Sequence, residues 1–290
     1  MASVTRPTDR LRSLLAEPGI LPMPCCFDAL SARLVEAAGF ELTFMSGFSV
    51  SAARLGLPDT GLISYGEMEA QGRSICSAVS IPVIGDGDTG YGNALNVRRT
   101  VDGYARAGFA GVMIEDQLAP KRCGHTRGKE VVAREEACAR VRAAVDARDA
   151  GADVLIMART DARAAHGLEE AIARARDFAD LGADILFVEA PESVDELSRI
   201  GAEVPGPKLA NLVEGGDTPL LSPAELEGLG FKIAAYPVTL LSASIRAMQE
   251  ALSNLSAGRR PERLLDFAEL RRVVGFDAYD QALARYREGG

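Results

Sequence analysis

The feature that most limits the possible folds of this chain is an alternation of short apolar runs with longer amphipathic stretches. The runs are rich in Val, Ile, Leu and Ala, and most are followed by residues with helical spacing, which is typical of buried parallel strands joined by helices. The predicted strands are 20–23, 41–45, 81–84, 111–115, 154–158, 183–188, 208–210 and 232–235. Eight strand–helix units in about 250 residues match a (β/α)8 barrel of the TIM type in both count and length.

Glycines mark several joints between these units. Gly39, Gly108, Gly182 and Gly230 each stand between a predicted helix and the strand that follows it. A glycine just past a helix adopts the left-handed conformation that ends the helix, so the next strand starts at once. A doubly wound sheet is the alternative α/β fold, but it often has a glycine-rich phosphate turn after its first strand. Residues 24–28, Pro-Cys-Cys-Phe-Asp, offer no such turn.

Helices are also predicted at both ends of the chain. Residues 7–17 form a leading helix, and 241–257 and 264–287 form two helices after the eighth strand. The expected organisation is one domain, 1–290, with a barrel core at about 18–240 and C-terminal helices at about 241–290. Surplus terminal helices on a barrel often pack against another subunit, so the sequence predicts an oligomer.

Composition narrows the class of partner. The 290 residues carry a formal net charge of −9, which argues against binding to nucleic acid or to an anionic membrane. No run approaches the roughly 18 apolar residues of a membrane span, and the first residues lack the apolar region of a signal peptide. The five cysteines are odd in number and show no metal-ligand spacing, which favours a reducing compartment. We therefore expect a cytoplasmic protein with a small-molecule substrate.

Polar residues stand at the ends of most predicted strands. In barrels of this type, polar residues at the carboxyl ends of the strands form the active site. These residues are Ser46, Asp86, Asp88, Glu115, Arg159, Glu189 and Asn211. Any one of them could instead cap a helix, and Arg159 could serve only to brace the mouth by pairing with Glu189. Together they predict a site, because several charged groups at one mouth require compensation.

The carboxylates after the third and fourth strands predict a metal site. Two carboxylates about 4 Å apart repel each other by about 4 kcal/mol at an effective dielectric constant of about 20, and a divalent cation relieves that repulsion. Asp86, Asp88 and Glu115 offer only oxygen ligands, which suit Mg²⁺, with Mn²⁺ as a substitute. The sequence has only two histidines, His125 and His166, so a histidine-rich Zn²⁺ or Fe²⁺ site is not expected.

A long loop after the fourth strand contains the run Lys-Arg-Cys-Gly-His at 121–125. Loops of about 16 residues are usually lids or disordered segments. The charged and glycine-rich neighbours of Cys123 do not suit a buried apolar cysteine. Lys121, Arg122 and His125 would lower the pKa of the Cys123 thiol from about 8.5, which makes it a proton donor or acceptor near neutrality.

These residues together resemble the isocitrate lyase/phosphoenolpyruvate mutase superfamily from about Arg10 to Val238. The motifs that carry the resemblance are 46–47 (Ser-Gly), 55–59 (Leu-Gly-Leu-Pro-Asp), 86–92 (Asp-Gly-Asp-Thr-Gly-Tyr-Gly), 114–117 (Ile-Glu-Asp-Gln), 121–125, 158–161 (Ala-Arg-Thr-Asp) and 211–214 (Asn-Leu-Val-Glu). The resemblance implies an α/β barrel, Mg²⁺ dependence and a gating loop over the site. It also implies homotetramers in which a terminal helix swaps between neighbouring subunits.

The resemblance also implies roles for individual residues. Asp86 and Asp88 would be ligands on the metal side, and Glu115 would lie near the metal through water. Cys123 would be the catalytic acid of the lyases, and we expect Arg159 and Glu189 to belong to the same catalytic set. The residues expected to bind substrate are Ser46, Gly47, Phe48, Asp59, Gly124, His125, Asn211 and Thr239, together with Arg159.

Two departures bear on the branch of the superfamily. The 121–125 motif is typical of the carbon–carbon lyases, such as 2-methylisocitrate lyase and dimethylmalate lyase, and also occurs in the carboxyphosphonoenolpyruvate mutase type. Phe44 stands where the methylisocitrate lyases have a tyrosine, and 239–242 lacks the arginine with which they hold an extra carboxylate. Both departures favour a smaller or alkyl-substituted diacid over a tricarboxylate.

The resulting hypothesis is a Mg²⁺-dependent lyase that cleaves the C2–C3 bond of a 2-hydroxy or 2-oxo di- or tricarboxylic acid. Cleavage would pass through a metal-stabilised enolate that Cys123 protonates, while loop closure excludes water. The alternatives are a phosphonomutase, for which Cys123 would be dispensable, and an oxaloacetate decarboxylase or hydrolase. A barrel used only for binding or assembly is a further alternative, which the set of carboxylates disfavours.

Overall fold

The structure, a computed structural model, describes residues 6–124 and 128–287. Its central element is a closed barrel of eight parallel strands in sequence order, with the eighth strand beside the first. The predicted (β/α)8 fold is therefore confirmed. The strands are β1 (Leu21–Cys26), β2 (Thr43–Met45), β3 (Val83–Asp86), β4 (Gly111–Glu115), β5 (Leu155–Thr160), β6 (Ile185–Val188), β7 (Lys208–Asn211) and β8 (Ile233–Tyr236).

Helices surround this barrel and continue after it. Those in the described residues are α1 (Pro7–Ala16), α2 (Ala29–Ala37), α3 (Gly47–Val50), α4 (Tyr65–Cys76), α5 (Ala94–Ala107), α6 (Arg134–Asp149), α7 (Ala162–His166), α8 (Leu168–Asp180), α9 (Val194–Glu203), α10 (Pro223–Gly228), α11 (Thr239–Ser256), α12 (Phe267–Val274) and α13 (Phe276–Arg287), and a π-helical segment at Ser51–Leu55 follows α3. The four joint glycines all have left-handed φ angles, between 86° and 100°, as predicted.

Five strands extend further toward their carboxyl ends than the apolar pattern predicts, namely β1, β3, β5, β7 and β8, whereas β2, β4 and β6 end at the predicted residue. β3 ends at Asp86 rather than at residue 84, and β5 continues through Arg159 to Thr160. Backbone pairing outlasts the apolar run, since Glu115 lies beside Arg159 in the β4–β5 register. Hydrophobicity marks only the buried part of a strand, whereas the hydrogen-bond ladder ends where the backbones diverge. Several candidate residues therefore stand on strands rather than in loops.

Two helical predictions differ from the structure. The single helix predicted at 264–287 is two helices, because Gly275 adopts the left-handed conformation with a φ of 95° and ends α12. Between β2 and β3, where no helix is predicted, α4 begins at the N-cap Ser64, whose side chain forms a reciprocal capping box with Glu67.

Side-chain alternation along the strands builds the barrel mouth. One apolar cluster fills the barrel interior, and it contains Phe44, Ile84, Met113, Met157, Phe187 and Leu209. Successive side chains of a strand point to opposite faces, so the residue two positions further on also points inward. These next residues are Ser46, Asp86, Glu115, Arg159, Glu189 and Asn211. The strand period therefore places six predicted site residues in one layer above the apolar interior.

The chain divides into two compact units, Met1–Leu241 and Ser242–Gly290. The first contains all eight strands, and α11 crosses the boundary. In the second, large apolar side chains are exposed on the helices, including Leu252 at 64% and Phe267 at 73%. No helix in 6–124 or 128–287 has the length and apolar character needed to cross a membrane.

Candidate active site

Asp86 and Asp88 lie at the carboxyl end of β3, next to the start of α3. Asp86 Oδ2 accepts a hydrogen bond from the Gly47 N–H at 3.0 Å, and its Oδ1 accepts one from the Asp88 N–H at 3.0 Å. A Cβ atom at Gly47 would lie 2.5 Å from Asp86 Oδ2, so only glycine fits there. Ser46 is the N-cap of α3 and accepts a hydrogen bond from the Ser49 N–H. Ser46 and Gly47 thus position the acidic strand end, besides any contact with substrate.

Lys121 reaches into this acidic end of the site. Its Nζ lies 2.6 Å from Asp59 Oδ1 and 2.6 Å from Asp88 Oδ1, and all three side chains are buried. Burial by itself lowers the pKa of Lys121, but the charges of Asp88, Asp86 and Asp59 outweigh burial and raise that pKa well above its ordinary value. The ammonium group is therefore bound by carboxylates, which differs from the expectation that it serves to activate Cys123.

The carboxylates at this mouth are short of positive charge. Burial, followed by the charge of Asp88, raises the pKa of Asp86 to about 6, and burial raises the pKa of Glu115 well above its ordinary value in spite of Arg159. Asp59 Oδ1 and Asp88 Oδ1 share the single Lys121 ammonium group, and the buried Glu115 Oε1 accepts no hydrogen bond from any described residue.

The donor set fits a hard cation. No three carboxylate, thiol or imidazole groups of residues 6–124 and 128–287 converge as a preformed metal site. In this arrangement the Lys121 ammonium compensates the charge of Asp59 and Asp88. The group of buried carboxylates nevertheless suits Mg²⁺, which binds oxygen ligands and relieves the repulsion between neighbouring carboxylates.

Arg159 is the centre of a second buried cluster. Its Nε and Nη2 donate to the two carboxylate oxygens of Asp161 at 2.8 and 3.0 Å. Nη2 is also 3.1 Å from Glu189 Oε2, and Nε is 3.4 Å from Glu115 Oε2. Burial lowers the pKa of Arg159, but Asp161 and the two glutamates outweigh it, so the guanidinium stays charged. The Arg159–Glu189 ion pair considered in the sequence is present, and it is one part of a larger network.

The 121–125 segment brings its backbone onto this cluster. A Cβ atom at Gly124 would lie 2.4 Å from Glu189 Oε2 and 2.6 Å from Arg159 Nη2, so the backbone of Gly124 packs directly on the ion pair. Cys123 is half-buried beside it and is not in a disulfide. His125, predicted to bind substrate, lies outside the described residues.

The remaining predicted substrate residues lie around the same mouth. Asn211 Nδ2 donates to Glu189 at 3.3 Å. The Thr239 hydroxyl at the start of α11 donates to Glu214, so it already has a protein partner. Phe48 is on α3 with 37% of its surface exposed, which leaves its ring available at the rim.

Sequence reasoning assigned no site role to Asp161 or Lys129 and treated Lys121 only as a neighbour of Cys123. Lys121 and Asp161 stand inside two of the motifs that carry the family resemblance, so this signal was available. Lys129 lies in a loop outside those motifs, and only its burial in the structure distinguishes it from a solvated lysine.

A parallel barrel whose carboxyl-end mouth combines buried carboxylates, a buried arginine and a nearby thiol defines an enzyme site for an anionic substrate. The chain belongs to the phosphoenolpyruvate phosphomutase family, which matches residues 11–256, and so to the phosphoenolpyruvate mutase/isocitrate lyase superfamily that its motifs predicted.

Named relatives span several activities. The carboxyvinyl-carboxyphosphonate phosphorylmutase of Arabidopsis thaliana is 44% identical over 98% of this chain and 87% of its own length. The 2,3-dimethylmalate lyase of Eubacterium barkeri is 41% identical over 97% of this chain and 98% of its own length. Among solved structures, oxaloacetate acetylhydrolase in complex with the inhibitor 3,3-difluorooxalacetate superposes with a TM-score of 0.92 at 35% identity, covering 98% of this chain and 97% of that one.

Proposed function

We propose that this chain is a Mg²⁺-dependent carbon–carbon lyase that cleaves a small 2-hydroxy or 2-oxo dicarboxylic acid. The observation that carries the proposal is the packing of Gly124 on the Arg159–Glu189 pair, which brings the segment with the Cys123 thiol to a buried arginine. The 41% identity to a protein named 2,3-dimethylmalate lyase supports the same class of reaction.

Arg159 is the group that would bind a substrate carboxylate. Its Nε and Nη2 are engaged by Asp161 and Glu189, whereas Nη1 donates no hydrogen bond to any residue in the described part of the chain. The bidentate face of the guanidinium is taken by Asp161, so Nη1 would supply single N–H···O hydrogen bonds to a substrate carboxylate. The Arg159 guanidinium would therefore orient one end of the diacid beneath Gly124.

Asp86 and Asp88 would hold the Mg²⁺ ion, with Glu115 close to it. When bound, Mg²⁺ supplies Lewis-acid polarisation of the substrate oxygens. Addition of MgCl2 should raise the Tm of the protein, because the ion binds only the folded state. The Asp88→Asn variant should lose that rise and the exposed Asp180→Asn variant should keep it. An equal rise in all three proteins would refute this assignment.

Cys123 would be the proton donor of the cleavage step. For a 2-hydroxy acid, the electron pair of the C2–C3 bond moves to C3 as the bond breaks and is delocalised onto the neighbouring carboxylate, while the C2 hydroxyl transfers its proton to water and the C2 oxygen becomes a carbonyl. The Cys123 thiol then donates its proton to C3. Phe44, two positions before Ser46, carries no proton acceptor, so no base is assigned at that position.

A substrate panel tests this proposal. Malates, alkylmalates, methylisocitrate, oxaloacetate and phosphonopyruvate would each be assayed with Mg²⁺, and the pyruvate or glyoxylate released would be measured. We expect the highest kcat/KM for an alkylmalate, a loss of about 100-fold or more in Cys123→Ser, and no change in the control Cys138→Ser, whose thiol lies on α6. Undiminished cleavage by Cys123→Ser would refute the mechanism.

A phosphonomutase is the second candidate, because the Arabidopsis relative of 44% identity is named as a phosphorylmutase. It would use the same arginine and acidic cluster but would not need the thiol. Turnover of phosphonopyruvate-type substrates that survives in Cys123→Ser would favour this candidate over the lyase.

We also propose a homotetramer assembled through the C-terminal helices, and mass photometry tests it. The exposed apolar side chains of Leu252 and Phe267 support it, since such surfaces are usually covered by a partner. Phe267→Glu should reduce the oligomer, whereas Leu95→Glu on α5, which is exposed to the same degree, should not.

Five cysteines without a disulfide support a reducing cytoplasmic compartment.

A further inference from the structure

Lys129 is one of three buried lysines among the four of the chain, and it lies beside the candidate site. Only 2% of its side chain is exposed. Its Nζ donates to the carbonyl of Gly124 and, at 2.8 Å, to Asp161 Oδ1. A buried ammonium group is costly unless it is paired and hydrogen-bonded, so this placement requires both partners. Lys129 thereby connects the backbone beside Cys123 to the network under Arg159.

Asp161 is directed toward the same connection. It stands at the N-terminus of α7, yet its side chain makes no capping hydrogen bond there. The Ala162 N–H donates to the hydroxyl of Thr160 instead, at 3.1 Å. The fully buried Asp161 carboxylate is left to accept from Arg159 and Lys129. An acid in the N-cap position that does not cap its helix indicates a role elsewhere.

The backbone of Asp161 is itself held in place. Its N–H donates to Asp116 Oδ1 at 2.8 Å, and the Thr160 hydroxyl donates to Asp116 Oδ2 at 2.6 Å. Arg174 Nη1 donates to the same Asp116 oxygen at 3.1 Å. Asp161 is thus a rigid point, and the loop end that Lys129 binds to it shares that rigidity.

The base of the loop is anchored separately. The Leu118 N–H donates to the Glu130 carbonyl at 2.8 Å, and Gln117 and Val131 form an antiparallel bridge. Lys129 is the first residue beyond this paired base. From the same base, the Gln117 side chain donates to the Arg122 carbonyl at 2.8 Å and accepts from the Arg122 N–H at 2.9 Å. The contact of Lys129 with Gly124 therefore acts on the segment that follows Arg122.

We propose that Lys129 and Asp161 are positioning residues that hold the Cys123–Gly124 segment against Arg159 and Glu189. Lys129 supplies a link of charge and hydrogen bonds from the Gly124 carbonyl to Asp161, and Asp161 links it to the guanidinium. The position of the thiol and the orientation of the arginine are in this way set by one buried ion cluster. The consequence for catalysis rests on the proposed lyase function, whereas the position of the segment does not.

The test measures the accessibility of Cys123 in the full-length protein. Wild type and variants are treated with iodoacetamide, and the rate of labelling of the Cys123 peptide is followed by mass spectrometry. Lys129→Met should raise that rate by about tenfold, the factor expected for the loss of one charge-assisted hydrogen bond. Lys129→Arg, which keeps the charge and the donors, should restore a rate close to wild type.

Lys208→Met is the matched control. Lys208 is also buried and its Nζ also donates to two carbonyls, those of Val204 and Gly206, but it stands at the opposite end of the barrel. Its replacement should leave the labelling of Cys123 unchanged. Equal labelling of wild type and Lys129→Met, or an equal increase in Lys208→Met, would overturn the proposal.

Asp161→Asn gives a second measurement if Lys129→Met folds poorly, because it preserves the side-chain volume and removes the charge that Lys129 binds. It should increase Cys123 labelling in the same direction, and a rate equal to wild type would overturn the proposal. In the lyase assay, Lys129→Met should lower kcat more than it raises KM. If wild type shows no lyase activity, the proposed function fails, while the labelling result still decides the positioning role.

Discussion

Replacement of Arg174 by methionine should destabilise the protein more than any single surface change. Arg174 on α8 is 3% exposed, and it donates to Asp116 Oδ2 at 3.1 Å, to the Val132 carbonyl at 2.9 Å and to Glu170 at 2.8 Å. Methionine fills a similar volume but donates nothing. The buried Asp116 carboxylate would keep its hydrogen bonds from Thr160 and the Asp161 N–H and lose its counter-charge.

The magnitude follows from the burial of the pair. Removal of one partner of a buried ion pair costs about 3–5 kcal/mol, because the remaining charge stays desolvated. For a chain of this length each kcal/mol corresponds to about 2–4 °C in Tm, so a fall of about 6–20 °C is expected. Burial raises the pKa of Asp116 above its ordinary value of 3.8, and the loss of Arg174 would raise it further.

This pKa shift gives the prediction a pH dependence. The Asp116 carboxyl has a higher pKa in the folded state than in the unfolded state. Below the unfolded-state pKa it costs the fold nothing, because it is protonated in both states. Its destabilising effect increases with pH from the unfolded-state pKa up to the folded-state pKa, and is complete above that. The deficit of Arg174→Met should therefore be smaller at about pH 4 than at about pH 8. Urea unfolding followed by circular dichroism at both pH values measures it.

Arg199→Met is the control for this prediction. Arg199 also forms helical and cross-helix ion pairs, with Glu203 and Glu169, but 42% of its side chain is exposed to solvent. Exposed pairs contribute little, so no clear change in Tm is expected. A loss below about 1 kcal/mol in Arg174→Met at neutral pH, or an equal loss in Arg199→Met, would refute the argument from burial.

Three further outcomes are expected from close approaches and burial. Gly201→Ala should destabilise the protein by about 3 kcal/mol or more in urea unfolding, because its Cβ would lie 1.7 Å from the Leu229 carbonyl oxygen. The control Gly66→Ala on α4 places its Cβ within 4 Å of no atom, so it should stabilise the protein by about 0.5–1 kcal/mol. Burial raises the pKa of Cys76 to about 12, so its labelling rate should rise by about tenfold per pH unit between about pH 7 and 10, and a plateau in that range would contradict this. Gly124→Ala should lower the proposed lyase activity by about 100-fold, since its methyl group would push the loop segment away from the acid–arginine pair.

The barrel and much of its mouth could be predicted from local information. Strand and helix periods, and glycines at the joints, depend on residues close together in the chain, and these gave the eight units in the right order. The period of two along a strand also carried Asp86, Glu115 and Arg159 to one layer, because each lies two positions beyond an apolar inward residue. Five of the eight strand ends were placed one to three residues early, because the apolar signal stops before the hydrogen-bond ladder does.

What the sequence by itself determined about this protein is therefore the fold, its family and the set of groups at the mouth. Only the tertiary structure decided how these groups share their charge. Lys121 binds Asp59, which is 62 positions away in the chain, and Lys129 reaches Asp161, 32 positions away. Such pairs form only after the barrel closes and the long loop folds over its mouth. Until then no periodicity or spacing distinguishes these lysines from solvated ones, since the burial that makes their pairing necessary is a property of the assembled barrel.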